Sequence, residues 1–128
     1  MQSSKQSIGD LIARGQQALQ AGDNAQAETL FSYALRIDSR NVDALHLLGI
    51  SAHRLGKLDA AIELITKAIK IAPSVPSLHL NLGNALKAQG NQAEAIKCYR
   101  QAVRLDSGYF RAHNNLGAEL SALGHLAE

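Results

Sequence analysis

Tryptophan is absent from this chain of 128 residues, and two phenylalanines with three tyrosines are its whole aromatic content. Close packing must therefore rest on alanine, leucine, isoleucine and glycine. Cys98 is the one cysteine, which excludes an internal disulfide and a cysteine-based metal cluster and suits a reducing compartment. It reads as a small packing residue rather than a nucleophile. No apolar run approaches the ~18 residues of a membrane span, and no basic stretch followed by an apolar one opens the chain. The expectation is a cytoplasmic protein with no membrane partner. Charge of one sign is missing too: 13 Lys+Arg stand against 11 Asp+Glu, a net +2, spread without blocks. A nucleic-acid footprint needs a denser basic stripe, so no nucleic-acid partner is expected.

Signatures of catalysis are equally scarce. There is no H-E-x-x-H, no G-x-S-x-G and no phosphate-binding glycine loop. Of the five histidines, His46 and His53 lie two turns apart on a helix, roughly 10 Å along its axis at ~1.5 Å per residue. One metal cannot take both. The sequence therefore predicts no catalytic residues, no metal and no cofactor, and a chain that is not itself an enzyme.

What is present is a repeat of 34 residues. Gly15, Gly49, Gly83 and Gly117 form one column, and Gly22, Gly56, Gly90 and Gly124 a second. Ala27, Ala61, Ala95 and Ala34, Ala68, Ala102 form two more. A fixed period of this kind means stacked supersecondary units. Within the third repeat, Leu78, Leu82, Ala85, Leu86 and Ala88 recur at three- and four-residue steps, the period of a helix with one buried face (helix A, Ser77 to Gln89). Gly90 sits where a helix ends on a left-handed residue. Asn91 with Glu94 three residues later has the spacing of a capping box that starts helix B, Gln92 to Leu105. Ser7 with Asp10 and Asp23 with Gln26 read as caps in the same way, and the second repeat has Asn41 and Asp43 near its start, whereas Lys57 cannot accept an amide bond and marks the weakest cap. Ala95, Tyr99 and Ala102 put small groups and one ring where two helix backbones approach, with Gly83 opposite. Arg36, Lys70 and Arg104 fall in the last turn of each B helix, complementing its dipole from the water side.

Leu82-Gly83, Leu86, Ala95, Tyr99 and Ala102, and in the repeat before them Leu48-Gly49, Ala61, Ala68 and Pro73, resemble the tetratricopeptide repeat, whose pattern reads W-x2-L-G-x2-Y, A-x3-F, P. The resemblance runs from Ile8 to Glu128. It departs in having Leu11, Leu45, His79 and His113 in the tryptophan column, Arg14 in a leucine position, and Ser39 and Ser107 where the second repeat has Pro73. Partial burial against helix B is expected for His79 and His113. The resemblance implies an all-α, right-handed superhelical solenoid of antiparallel helix pairs. Its repeats are 8–41, 42–75 and 76–109, with helix A of a fourth in 110–128, after a polar segment 1–7. That last helix is expected over Phe110 to Leu123, turning at Gly124. Leu116, Leu120 and Leu123 then form an apolar stripe, from which a fragment of a longer protein and a homodimer through the uncapped C-terminal helix are expected.

The resemblance further implies a concave groove, lined by the A helices, that holds a protein or peptide ligand. The corresponding residues are Ile12, Gln16 and Leu19, then His46, Ile50, His53 and Arg54, then Leu80, Asn81, Asn84, Lys87, Arg111, Asn114 and Asn115. An asparagine amide both donates and accepts, so Asn81 and Asn115, one period apart, suit a peptide backbone whatever its side chains. Asn81-Leu82-Gly83-Asn84 and Asn115-Leu116-Gly117 are similar to the asparagine ladder of the O-linked N-acetylglucosamine transferases. Two rungs match, since Leu47 and Ala13 hold the column earlier. A clamp for chaperone C-terminal carboxylates is disfavoured: its columns hold Ile12, Ser77 and Asn81, or His46, Arg111 and Asn115, and Arg111 alone is basic. The expected function is a protein-interaction module binding a segment in this groove. The alternative is the substrate-recruiting N-terminal region of a larger transferase.

Overall fold

The computed structural model describes residues 7–127, with side chains to residue 124. The polar segment expected before Ser7 lies outside the described residues. Among them every regular element is a helix: α1 (Ile8–Gln20), α2 (Asn24–Ile37), α3 (Val42–Arg54), α4 (Leu58–Ile71), α5 (Pro76–Ala88), α6 (Gln92–Leu105) and α7 (Phe110–Ala127). They form two compact units, one ending at Ile71 and one beginning at Ala72.

Helix starts follow the side chains that precede them. Ser7 Oγ accepts from the Asp10 amide at 3.0 Å, Asp23 Oδ1 from Gln26 at 3.1 Å, and Asn41 Oδ1 from Ala44 at 2.9 Å. Asn91 departs from expectation and makes no side-chain cap bond. Its backbone (φ −96°, ψ 74°) nearly matches that of Asp23 (φ −88°, ψ 75°). The reciprocal half of the box is not formed either, because the Asn91 amide already donates to Leu86 O at 2.8 Å; Glu94 instead takes Lys97 Nζ at 3.3 Å. Lys57, with no acceptor to offer, sends Nζ to Glu28 at 2.9 Å. At α5 the chain instead places Pro76 at the first helical position, where a missing N–H loses nothing.

Helix ends are set by glycine. Gly22, Gly56 and Gly90 have φ of 81°, 80° and 94°, and the next amides, of Asp23, Lys57 and Asn91, each donate 2.8 Å to the carbonyl five residues back. This closes an orphaned carbonyl and turns the chain. Gly124 does not act this way: α7 continues through it to Ala127. At the other three glycines the next helix folds back against its predecessor.

Each compact unit is built on the same contact. A Cβ on Gly49 would lie 2.6 Å from Ile65 Cγ1, and one on Gly83 2.6 Å from Tyr99 Cε1; Gly15 is covered as closely by the Phe31 ring. Glycine is required there because helix A presses directly on the B-helix side chain. The alanine columns complete the seam, with Ala27, Ala34, Ala61, Ala68, Ala95 and Ala102 fully buried. In the C-terminal unit Leu80, Ala95, Tyr99, Ala102 and Ala112 form one cluster, with Leu116 packed on its edge. Leu80 is therefore core rather than groove, since this position of α5 faces α6 and α7. Leu116 likewise leaves the expected bare stripe, which reduces to Leu120 and Leu123 at 38% and 40% exposure.

In the tryptophan column, His79 is buried and its Nε2 donates to Pro73 O at 2.9 Å. His113 repeats the bond to Ser107 O at 2.7 Å but is exposed, against expectation. No helix among the described residues covers that side of α7. A carbonyl only accepts, so Nε2 carries the proton in both rings.

Candidate functional site

Asn81 and Asn84 lie one turn apart on α5, and Arg111, Asn115 and Glu119 recur at four-residue steps on α7, so each set shares a helix face. The two faces meet through Asn84. Its Oδ1 accepts from the Tyr99 hydroxyl at 2.7 Å and from Asn115 Nδ2 at 2.9 Å, while its own Nδ2 points to Asn81 Oδ1 at 3.5 Å. Burial pushes the Tyr99 phenol up to about 12; Glu119 and Cys98 act in the same direction, and the Asn115 hydrogen bond opposes them. The phenol thus keeps its proton and serves as donor. Asn115 is not idle, as the sequence alone suggests: one amide hydrogen already fixes its position.

Beside this cluster lies Glu119, 6% exposed, which no sequence signal singles out. Gln92 Nε2 donates to its Oε1 at 3.0 Å, and Lys87 Nζ meets Oε2 at 3.1 Å. Those two bonds hold its carboxyl below the ordinary value despite burial. Three helices are joined here by one carboxylate. Lys87, expected to face a ligand, is paired within the fold, although its side chain is 53% exposed. Arg111 and Asn114 are exposed outside this network.

In the N-terminal unit, His46, Ile50 and His53 are half-buried along α3. Burial lowers the His46 pKa, and Asp43 offsets this only in part, so the ring is neutral at pH 7. Ile50 packs beside the Leu19, Ala27, Phe31 and Leu48 cluster. Leu19 belongs mainly to that core and presents only an edge to a shallow cleft with Gln16, Gln20, Leu47 and Arg54. Arg54 Nη1 donates to Leu19 O at 3.2 Å across the cleft. Cys98 is raised to about 11, by burial first and Glu94 second, and stays a thiol. Among the described residues no three His, Cys, Asp or Glu side chains are placed to hold a metal. None of the described helices is long and apolar enough to cross a membrane.

Paired helices of fixed length, glycine turns at one period and an alanine seam define a helical-repeat protein. The profile described as "Tetratricopeptide repeat" matches residues 12–76, and a second, "TPR repeat", matches 83–124. The chain belongs to the tetratricopeptide repeat family. It is similar to human Tetratricopeptide repeat protein 7B, 30% identical over 97 residues, which cover 76% of this chain and 12% of that protein. The chain thus spans only a small part of that relative's length. Among solved structures, a mutant of the Thermobaculum terrenum O-GlcNAc transferase superposes with a TM-score of 0.85 at 34% identity, over 88% of this chain and 22% of the enzyme. The first TPR of RPAP3 (Spaghetti), solved with an HSP90 peptide, superposes at 0.87 with 22% identity, over 92% of this chain and 94% of that one. At that identity the likeness concerns the fold.

Proposed function

We propose that the chain is a protein-interaction module that takes an extended peptide segment on the A-helix faces, α5 and α7 in the C-terminal unit. The corresponding face in the N-terminal unit is α3, with His46, Ile50 and His53. The observation that carries this reading is the amide cluster of Asn81, Asn84 and Asn115, held by Tyr99 from below. Amides fixed in advance lose little freedom when they bond a backbone, and they read no side chain. Even charge favours protein over nucleic acid as the partner, and a single half-buried thiol suits a reducing compartment such as the cytoplasm.

A decapeptide library displayed on phage tests the reading. Peptides selected by the parent should lose roughly 1–3 kcal/mol of binding in Asn81→Ala/Asn115→Ala, with melts recorded beside. Arg36→Ala/Arg104→Ala, on the outer face, should bind as the parent does. Equal loss from the outer-face pair would point to general electrostatics and overturn the groove.

A second reading has its own support. The 34% identity to part of a glycosyltransferase favours a recruiting region that delivers a substrate protein to a transferase domain. Fusing the chain to such a domain and comparing turnover of a protein substrate with that of a short free peptide would test it, since recruitment accelerates only the former.

A further inference from the structure

We infer that Glu119 sets the charge selectivity of the α5–α7 face: by holding Lys87 within the fold, it makes this end of the groove accept neutral peptide residues and reject acidic ones. The inference rests on the groove reading above.

Two cations stand on this face, Lys87 and Arg111. Arg111 and Glu119 are eight residues apart on α7, roughly 12 Å along the axis, so the face is graded. Its Arg111 end is cationic, its middle is amide, and its Lys87 end is neutralised by a buried carboxylate 3.1 Å from Nζ. Glu119 cannot swing away to release the lysine, because Gln92 holds the other oxygen at 3.0 Å and the side chain is 6% exposed. A ligand carboxylate arriving at Lys87 would meet that fixed negative charge at close range. Sharing the ammonium, which has further donors, would set two carboxylates side by side, and taking Lys87 outright would leave Glu119 with Gln92 alone; both are unfavourable. A neutral residue meets neither obstacle.

Selected peptides are scanned with glutamate at each position against the parent and Glu119→Gln. In the parent, glutamate at the position over Lys87 should weaken binding about fivefold or more, whereas in Glu119→Gln the same peptide should bind about tenfold tighter than it does to the parent. That gain should vanish in Glu119→Gln/Lys87→Ala. Identical scans in parent and Glu119→Gln overturn the assignment while leaving the groove intact. Selection of no peptide, or of peptides indifferent to Asn81 and Asn115, overturns the groove reading instead. The parent alone gives an independent test should Glu119→Gln fold poorly. The Lys87 ammonium resonance should stay unmoved when hexaglutamate is added, and its displacement would overturn the inference.

Discussion

The two compact units fill the same slot with different chemistry. In the N-terminal unit the glycine notches Gly15 and Gly49 are closed by Phe31 and Ile65, purely apolar side chains. In the C-terminal unit Gly83 is closed by Tyr99, whose ring is fully buried like that of Phe31 but whose hydroxyl reaches Asn84. One residue thus couples the interhelical seam to the amides of the A-helix face. The N-terminal unit has no such coupling at this slot, and its A-helix face carries Leu47 where the C-terminal unit carries Asn81. The same packing rule holds a purely apolar slot in one unit and a slot tied to polar side chains in the other.

The sharpest way to break the comparison is to empty the slot. Phe31→Ala and Tyr99→Ala should each lose about 3–5 kcal/mol, read by urea unfolding. The loss of Tyr99 should in addition release the side-chain amide signals of Asn84 and Asn115. A smaller effect is expected from crowding the seam. Ala61→Leu and Ala95→Leu should each lose ~1–3 kcal/mol, one in each unit; melts within a degree of the parent would show that the alanine seam does not set helix separation. Smaller again is Tyr99→Phe, which keeps the packing and removes the hydroxyl. It should lose about 1 kcal/mol and shift the Asn115 amide, so an unshifted amide would separate seam from groove.

Acidity sharpens the contrast most gently. The Glu119 carboxyl titrates below its ordinary value because of Gln92 and Lys87. Its contribution is therefore complete above the unfolded value, near ~4.3, and fades as pH falls through the lower folded one. Parent and Glu119→Gln should differ in urea stability at neutral pH and converge in acid. A constant difference would contradict the assigned bonds.

Much of this architecture is legible in the residues. The 34-residue period locates every helix pair, because Gly15, Gly49 and Gly83 leave no room for a Cβ, Gly22, Gly56 and Gly90 take positive φ, and the alanines of the seam are fully buried. The groove is legible only in part. Counting by period assigns a helix face but not its edges, so it puts Leu80 in the groove although that side chain faces α6 and α7. Asn115 looks free for a ligand along the chain because its partner Asn84 is 31 residues away. Glu119 escapes for a like reason: an acidic residue between Ala118 and Leu120 reads as solvated until Lys87 and Gln92 are seen around it. Gly124 and Asn91 mislead because residue type alone fixes neither a turn nor a cap. A turn needs the glycine to take positive φ, as Gly22, Gly56 and Gly90 do, and a cap needs its side chain aimed at the amide.

The central claim is that the amides of α5 and α7 hold the ligand backbone. Titrating the isotope-labelled parent with a library-selected peptide, while following side-chain amide resonances by NMR, tests it most directly. The account predicts that Asn81, Asn84 and Asn115 move together at saturation, with the peptide's own amides protected from exchange. Movement at Arg100 and Arg104 on the B helix α6, with those three asparagines still, would contradict it.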